Sequence, residues 1–337
     1  MSIVIVPFGG VHVADAARMF VDSLSALRRR VPALPPDMAD VAAVSPRLEG
    51  MTGFAAIEEG RLAGYLTGWA PIERFRGAAR VGAYVPEWAH ASRGPNRRAV
   101  DTALYRAAAA GWSAAGSDTH AITLLADDDA LETWFWLGFG MGTVDAVRPM
   151  TPLEHAVPDG VVVRPATPDD AGVLATLDVE HQRHYRESPI LMAAREPEDP
   201  ESFAAFVQRP GATIWLAAIG DEVVGFLRCG REFNASAVVE SDAAIFISAA
   251  YVRPAARGRG VATAMLDAAL RQYAAEGFTT CAVDFEAFNP EATAFWLRSF
   301  TPVCFSLLRV PEASTPELAG RLLMGRVSHE HRDPHPS

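Results

Sequence analysis

The chain contains no lysine, and all 30 of its basic residues are arginine. Cysteine is nearly as scarce: Cys229, Cys281 and Cys304 are too few and too scattered for a disulfide framework, and they lack metal-ligand spacing. No apolar run approaches the roughly 20 residues that a membrane-spanning helix needs. The N-terminal stretch lacks a basic region and a cleavage site, so we expect no signal peptide. These absences favour a cytoplasmic protein that does not enter a membrane.

The overall charge is acidic, with a formal net charge of -11 over 337 residues. This balance argues against nucleic acid as a partner and, in general terms, favours cationic, amine-bearing substrates. The length corresponds to two domains at roughly 150 residues each. The sequence leaves the oligomeric state open.

Two halves of the chain repeat the same features in the same order. Residues 62–66, LAGYL, resemble residues 223–227, VVGFL. Residues 83–85, AYV, recur as residues 250–252. The offsets stay near about 160 residues, which predicts two copies of one fold.

Each copy predicts the same succession of elements. A strand and a helix are followed by two strands in a hairpin, a third strand, a helix, a strand, a short helix and a closing strand. We therefore expect an α+β fold, with two tandem domains that each carry a mixed, mostly antiparallel sheet flanked by helices. The predicted domains are a structural copy at 1–150, a ligand-binding copy at 161–311 and a C-terminal tail at 312–337.

The most informative stretch is a glycine-rich turn at the start of a helix. An apolar segment at 243–250 is typical of a buried strand, and an amphipathic helical pattern begins at Val261. The first N–H groups of a helix have no partner within it, and the helix dipole places partial positive charge there. Gly258 and Gly260 remove the side chains that would keep an anion from these N–H groups. The turn is therefore predicted to bind phosphate groups.

The pattern Arg257-x-x-Gly260-x-Ala262 resembles the R/Q-x-x-G-x-G/A signature of the GNAT superfamily of N-acetyltransferases. It lacks the Gly-Lys-Ser/Thr end of a nucleotide P-loop and the G-x-G-x-x-G spacing of dinucleotide folds. In GNAT proteins this loop grips the pyrophosphate of acetyl-CoA, and the fourth and fifth strands are parallel and splayed. The resemblance covers nearly the whole chain as a tandem pair, although only the second copy carries the full signature.

The resemblance implies an acetyl-CoA-dependent N-acetyltransferase that needs no metal. Acetyl-CoA would be the co-substrate, and the acceptor would be an amine of a small molecule or a peptide, which attacks the thioester directly in a ternary complex. A second hypothesis is a CoA-binding sensor or scaffold without turnover. The acceptor itself is not indicated by any motif.

The cofactor contacts implied by the resemblance lie in the second copy. The main chain of residues 250–252 would pair with the pantetheine arm, and the N–H groups of residues 258–263 would hold the pyrophosphate. Asn289 would contact the cofactor arm while capping the next helix, ahead of Pro290. The predicted cofactor-binding residues are Ala250, Tyr251, Val252, Arg257, Gly258, Arg259, Gly260, Val261, Ala262, Thr263, Asn289 and Trp296.

The catalytic residues are assigned by comparison with the family pattern. Trp296 stands where many members have a proton-donating tyrosine, so Tyr251, a water molecule or unassisted departure of the thiolate replaces that acid. Ser248 or Ala249 stands where many relatives have a glutamate base. Among nearby carboxylates we favour Glu286 as the general base, because it lies on the same strand face as Asp284 and close to the expected splay.

Two further features are read as non-catalytic. His181 and His184 are one helical turn apart, a spacing that can bind a metal ion, but the sequence indicates no third metal ligand. We therefore interpret them as the polar end of a helix. The first copy has residues 86–98, PEWAHASRGPNRR, in place of the glycine loop, with one glycine and with Pro95 removing a donor N–H. We expect this copy to be degenerate and to serve a structural role.

Overall fold

The computed structural model describes residues 2–78, 80–126, 128–153, 157–193, 195–232 and 235–311. The predicted tail at 312–337 lies outside the described residues. The chain divides into two compact units. Unit 1 comprises the described residues of Met1–Ala26, Met38–Met141 and Ser306–Ser337, and unit 2 comprises those of Leu27–Asp37 and Gly142–Phe305.

Unit 1 is built around an antiparallel sheet that ends in one parallel pair. Strands β1, β2, β3 and β4 pair antiparallel in that order, β4 pairs parallel with β6, and β5 pairs with β3. Its strands are β1 (Ile3–Pro7), β2 (Thr52–Glu58), β3 (Arg61–Ile72), β4 (Gly82–Val85), β5 (His90–Ser92) and β6 (Thr119–Leu125). Its helices are α1 (Gly10–Arg30, whose last turn belongs to unit 2), α2 (Val41–Leu48), α3 (Arg97–Ala114) and α4 (Asp128–Trp136).

Unit 2 repeats this plan. Strands β8, β9, β10 and β11 pair antiparallel in that order, and β11 pairs parallel with β12. Its strands are β7 (Gly140–Pro149), β8 (Val161–Pro165), β9 (Thr213–Ile219), β10 (Glu222–Gly230), β11 (Ala244–Val252) and β12 (Thr280–Glu286). Its helices are α5 (Ala171–Arg186), α6 (Pro200–Phe206), α7 (Val261–Ala275) and α8 (Pro290–Trp296). The last strand, β13 (Thr301–Arg309), begins in unit 2, and its residues from Ser306 onward belong to unit 1.

The common strand order confirms the predicted fold class and the duplication. In each unit four antiparallel strands lead to one parallel neighbour, and a helix connects the parallel pair. The first half of the central strand β11 is a continuous apolar sequence, because its residues are buried on both faces of the sheet.

The compact units differ from the predicted domain ranges in one informative way. Strand β7, which the sequence prediction placed in the range 1–150, lies in unit 2 from Gly142 onward. It pairs antiparallel with β12 from Thr143 opposite Glu286 to Pro149 opposite Thr280. The alternation of residues in β7 predicts a strand but carries no information about its partner, because pairing is set by the fold.

Local sequence signals explain the elements that frame the unit 2 sheet. Strands β9 and β10 are joined by a two-residue turn in which Gly220 has a φ of 60°. Helix α5 follows a capping box formed by Thr167 and Asp170. No helix within the described ranges is long and apolar enough to span a membrane.

Candidate active site

The site begins where two parallel strands of unit 2 part. Strands β11 and β12 pair from Ala244 opposite Thr280 to Ile247 opposite Val283, and their ladder stops there. Strand β11 continues to Val252 while paired only with β10 on its other side. The register with β10 skips Ser248, which forms a β-bulge and redirects the strand. The free edge of β11 therefore faces an opening between the two strands.

A cavity of about 970 Å³ occupies this opening, and all of its lining residues belong to unit 2. It extends from the first turn of α7, past the free edge of β11, to α5 and α6. Every residue that the sequence singled out for cofactor binding or catalysis lines it, except Arg259, whose side chain is exposed. The volume lies in the range of small-molecule sites.

The glycine turn presents a row of unpaired donors at one end of the cavity. In the described part of the chain, none of the backbone N–H groups from Gly258 to Thr263 donates a hydrogen bond to a protein acceptor. Gly258 and Gly260 have φ values of 73° and 78°, which side chains rarely tolerate. A β-carbon on Gly258 would meet no atom within 4 Å, so the conformation rather than crowding requires glycine there.

Arg257 stabilises the turn through a hydrogen bond to the main chain, whereas Arg253 forms ion pairs with two carboxylates. The Arg257 Nε donates to the Val252 carbonyl at 2.9 Å, which ties the loop to the end of β11. Arg253 pairs with Glu180 at 2.7 Å and with Glu222 at 2.6 Å. Two carboxylates therefore hold the Arg253 guanidinium.

Asn289 and Trp296 frame the opposite wall, at the two ends of α8. The Asn289 side-chain oxygen accepts a hydrogen bond from the Ala292 N–H at 3.1 Å, as expected for an N-cap. Asn289 as a residue is 5% exposed and lines the cavity. Its side-chain nitrogen is not used by the cap and therefore remains as a donor. Trp296 is buried and packs against Phe295 and Phe300, with ring centroids 4.7 and 5.3 Å away. Its indole therefore shapes the wall, and core packing accounts for its burial.

Two tyrosines that line the cavity, one from α5 and one from β11, donate hydrogen bonds to carboxylates. The Tyr185 hydroxyl donates to Glu286 at 3.1 Å. Burial and the negative charge of Glu286 raise the pKa of Tyr185, so this hydroxyl keeps its proton. The Tyr251 hydroxyl donates to Glu180 at 3.4 Å, and burial raises its pKa above the usual value of 10.

Asp284 lies between two other carboxylates. It is the first β12 residue beyond the parallel ladder, and it lines the cavity. Across the antiparallel register it faces Asp145 of β7, which is 3% exposed. Burial, followed by repulsion from Asp145 and Glu286, raises the pKa of Asp284 to about 8. Asp145 is held in place by the Ser236 hydroxyl, which donates at 2.5 Å.

The two histidines of α5 line the same cavity without forming a metal centre. His181 is buried and packs edge-on against Tyr185, with a centroid separation of 4.8 Å. Burial and the nearby Arg257 charge lower the pKa of His184. Among the described residues, no group of three or more histidine, cysteine or acidic side chains is arranged to hold a metal ion.

In the described residues of unit 1, a side chain bridges the two strands at the end of the parallel ladder. Strands β4 and β6 pair from Gly82 opposite Thr119 to Val85 opposite Ile122. Just beyond the ladder, the His90 Nε2 bonds to the Thr123 carbonyl at 2.8 Å. Burial lowers the pKa of His90 to about 4, so the ring is neutral and Nε2 donates this bond. The His90 side chain therefore spans the gap that would otherwise open beyond Val85 and Ile122.

The register of unit 1 also corrects the sequence match between the two copies. Residues 82–85 occupy the ladder position of residues 244–247, and β5 pairs with β3 where residues 250–252 pair with β10. The predicted equivalence of residues 83–85 with residues 250–252 is therefore wrong. A three-letter match was too short to fix a register, since both segments are apolar strands on the same partner.

This register shortens the unit 1 loop to half the length of its counterpart. Between β5 and α3 lie the four residues 93–96, whereas between β11 and α7 lie the eight residues 253–260. Within residues 86–98, which the sequence prediction treated as a degenerate loop, His90–Ser92 form strand β5, and the Thr67 N–H donates to the Ala89 carbonyl at 2.8 Å. Unit 1 therefore lacks the chain length to form the same turn.

Sequence reasoning missed Tyr185, which lines the cavity, and Asp145, which lies behind Asp284. Tyr185 lies at the end of α5, and nothing in the local pattern separates it from an ordinary helix-surface tyrosine. Asp145 is an acidic residue in an apolar strand, which is an unusual choice for a buried position. A buried acidic residue could have indicated a functional site, but its place beside Asp284 depends on the pairing of β7 with β12.

Comparison with known proteins gives one family and a set of similar folds. Residues 179–300 match the family described as Acetyltransferase (GNAT) family. No match is found among curated proteins.

Solved structures resemble the chain over most of its length. A GCN5-related N-acetyltransferase from Sphaerobacter thermophilus is 16% identical, with a TM-score of 0.53 over 91% of this chain and 95% of that one. A GCN5-related glucosamine N-acetyltransferase region of a fungal multi-domain GH3 beta-N-acetylglucosaminidase is 13% identical, with a TM-score of 0.51 over 91% of this chain and 38% of that one. A tandem GNAT protein from the clavulanic acid biosynthesis pathway is 15% identical, with a TM-score of 0.43 over 91% of this chain and 98% of that one. At these identities the first two similarities establish the fold alone.

Proposed function

Residues 179–300 are a domain of the acetyltransferase (GNAT) family, and we propose that unit 2 transfers an acetyl group from acetyl-CoA to an amine. The observation that carries this proposal is the combination of a splayed strand pair with a row of unpaired N–H donors at the start of α7. Both open into the same cavity. A carrier with a pyrophosphate at one end and an extended amide-containing arm at the other matches this arrangement.

The residues fit such a carrier in three places. Six N–H groups, from Gly258 to Thr263, would bind the pyrophosphate, aided by the positive end of the α7 dipole. The unpaired edge of β11, at residues 248–252, would hydrogen-bond the amides of the pantetheine arm as an added strand does. The Asn289 side-chain nitrogen would donate to the same arm. Acetyl-CoA would then deliver its thioester toward α5 and α6.

Transfer to an amine needs a neutral amine, a polarised thioester carbonyl and an outlet for the thiolate. Tyr251 is poorly suited to supply a proton, because burial raises its pKa above 10 while a free thiol has a pKa of about 8.5. Trp296 is not an acid. We therefore propose that the thiolate leaves without a protein acid, and that Tyr251 forms part of the cavity wall.

Calorimetry with coenzyme A tests the binding half of the proposal. Gly258→Ala should weaken binding about tenfold or more, because alanine at a φ of 73° costs on the order of 1 kcal/mol and displaces the donors. Gly277→Ala is the matched control: Gly277 lies just beyond the other end of α7 with a φ of 93° and equally open space. It should leave the affinity unchanged. Equal affinity in both variants, or no binding to the wild type, would overturn the proposal.

Release of thiol from acetyl-CoA tests the catalytic half. Acetyl-CoA is mixed with the protein and with each of a panel of primary amines, namely tyramine, spermidine, glucosamine and a peptide with a free N-terminus. We expect at least one amine to accelerate thiol release in a saturable way.

A second candidate function is a CoA-binding sensor without turnover. The specific observation in its favour is the burial of Trp296, which leaves no ionisable side chain at the position where many family members have an acid. Tight binding of acetyl-CoA with no acceleration by any amine would select this candidate over the transferase.

A further inference from the structure

Asp284 occupies the point of unit 2 where an acceptor amine and a thioester can meet. Its backbone is the first part of β12 that no longer pairs with β11, so the side chain borders the splay. The residue is half-buried and lines the cavity. Among the described residues, no other residue donates a hydrogen bond to its carboxyl group, which leaves that group available to a ligand.

Glu286, which the sequence favoured as the base, is already engaged. Its Oε2 accepts the hydrogen bond of Tyr185, whose hydroxyl keeps its proton. One of its two carboxylate oxygens is therefore already occupied by a hydrogen bond within the protein. Asp284 shares the strand face of Glu286 but lacks such a donor, so it is the better placed of the two.

Asp145 gives Asp284 a fixed negative neighbour. The two residues are direct partners in the antiparallel register of β7 and β12, so their side chains lie on one face within a few ångströms. The Ser236 hydroxyl and N–H both donate to Asp145, at 2.5 and 3.4 Å, which holds its carboxylate in place. Asp145 itself does not line the cavity.

We propose that Asp284 is the general base that takes the proton from the acceptor ammonium ion, and that Asp145 is a positioning residue acting through it. This inference rests on the proposed acetyl transfer and assigns its base. It replaces Glu286 in that role.

The charges around Asp284 determine the pH range in which its carboxyl group is ionised and can accept a proton. Asp145 faces it from β7, Glu286 lies on its own strand, Tyr185 faces it from α5 and Arg195 from the segment before α6. Burial and the two carboxylates outweigh Arg195 and hold the pKa of Asp284 at about 8. A base in this range takes a proton from an ammonium ion more readily than an ordinary carboxylate does.

The proposed step conserves atoms and charge. The ionised Asp284 takes one proton from the ammonium ion, and the resulting neutral nitrogen forms a bond to the thioester carbonyl carbon. The carbon–sulfur bond breaks, and its electron pair leaves on sulfur. The second proton of the attacking nitrogen ends on that sulfur as free thiol, and Asp284 returns its proton to solvent.

The test follows kcat/KM against pH for thiol release with acetyl-CoA and the amine that the wild type accepts best. The wild-type profile should rise with pH and level off near 8. Asp284→Asn should lower kcat/KM by about 100-fold or more and remove this rise, because the base is gone. Its affinity for coenzyme A by calorimetry should stay within about threefold of the wild type. The acceptor's own titration is common to all variants, so differences between profiles report on the protein.

Asp145→Asn separates a proton-transfer role from a structural one. The asparagine oxygen still accepts the Ser236 hydrogen bond, but the negative charge is lost. The pKa of Asp284 should therefore fall and the rise in kcat/KM should move to lower pH, while the plateau persists. Glu286→Gln should move the profile in the same direction, and it serves if Asp145→Asn does not fold.

The outcomes distinguish this inference from the function on which it rests. If wild-type protein turns over but Asp284→Asn keeps both its rate and its pH profile, the base assignment is overturned and the transferase stands. An unmoved profile in Asp145→Asn and Glu286→Gln likewise overturns the assignment. If the wild type binds acetyl-CoA and no amine releases thiol, the proposed function fails, and the base assignment fails with it.

Discussion

Asp284 and Asp170 show how unit 2 moves the pKa of the same side chain in opposite directions. Arg164 pairs with Asp170 at 2.6 Å and holds the pKa of that carboxyl at about 2. Burial and two like charges hold the pKa of Asp284 at about 8. Ion pairing therefore stabilises the charged form at the edge of the unit, while the cavity favours the protonated form. Strongly raised carboxyl pKa values of this kind concentrate at functional sites.

Replacing Asp284 should stabilise the protein in a pH-dependent way. Because its folded pKa is raised, its contribution to stability is full below pH 3.8 and is lost as pH rises through about 8. At roughly 1.36 kcal/mol per pH unit the loss accumulates to a few kcal/mol. Asp284→Asn should therefore raise the free energy of unfolding at pH 8 by this order and change it little at pH 4. Chemical denaturation at both pH values measures the difference.

Asp170→Asn provides the control of opposite sign. Its folded pKa is lowered, so its contribution is present above pH 3.8 and is lost as pH falls through about 2. The variant should be less stable than wild type at pH 8, by about 1 kcal/mol after screening of the partly exposed Arg164. A destabilising Asp284→Asn at pH 8 would contradict the raised pKa.

Single residues were predictable where their role is set by the local backbone. The turn at Gly258 and Gly260 and the cap at Asn289 follow from chemistry within a few residues of the chain. The choice between Asp284 and Glu286 was not predictable, because it depends on Asp145 from β7 and Tyr185 from α5. No pattern within β12 carries either contact.

At the scale of elements, one side chain at the start of α8 both caps the helix and lines the cavity. The Asn289 oxygen caps the helix through the Ala292 N–H, and its nitrogen remains at the cavity wall. These two roles use different atoms, so substitutions can separate them.

Two substitutions of Asn289 should give different combinations of stability and affinity. Asn289→Asp keeps a capping oxygen, so stability should be unchanged, but it removes the donor and adds a negative charge beside an anionic ligand. Coenzyme A affinity should fall by about tenfold. Asn289→Ala loses the cap as well and should cost about 1 kcal/mol of stability. Thermal unfolding and calorimetry on both variants check this, and an Asn289→Asp protein with wild-type affinity would remove Asn289 from the ligand site.

Element type was predictable along most of the chain, whereas element partners were not. Alternating or continuous apolar runs with glycine-containing turns identified the hairpins of both copies, because these signals are local. Strand β7 was predicted as a strand but its pairing with β12 was not, and the short strand β5 was missed, because pairing depends on the surrounding sheet rather than on the strand's own residues. The role of His90–Ser92 as a strand rather than part of a loop follows from their pairing with β3.

At the scale of the whole molecule, the duplication has kept the sheet and changed the opening. Both units retain four antiparallel strands and one parallel pair. Unit 2 leaves the parting strands open, while unit 1 closes the gap with the bond from His90 to Thr123. The two units thus differ in the length of one loop and in the His90 side chain that bonds across the gap.

The chain should therefore bind one molecule of coenzyme A rather than two. The unit 1 loop at residues 93–96 is half as long as the loop at 253–260, and Pro95 lacks an N–H, so too few donors are available for a pyrophosphate. Calorimetric titration should give a stoichiometry of one per chain. His90→Ala should leave it at one, because opening the gap does not lengthen the loop, and Gly258→Ala should weaken the single site without revealing another. A stoichiometry of two would show that unit 1 binds the carrier by contacts other than a glycine turn.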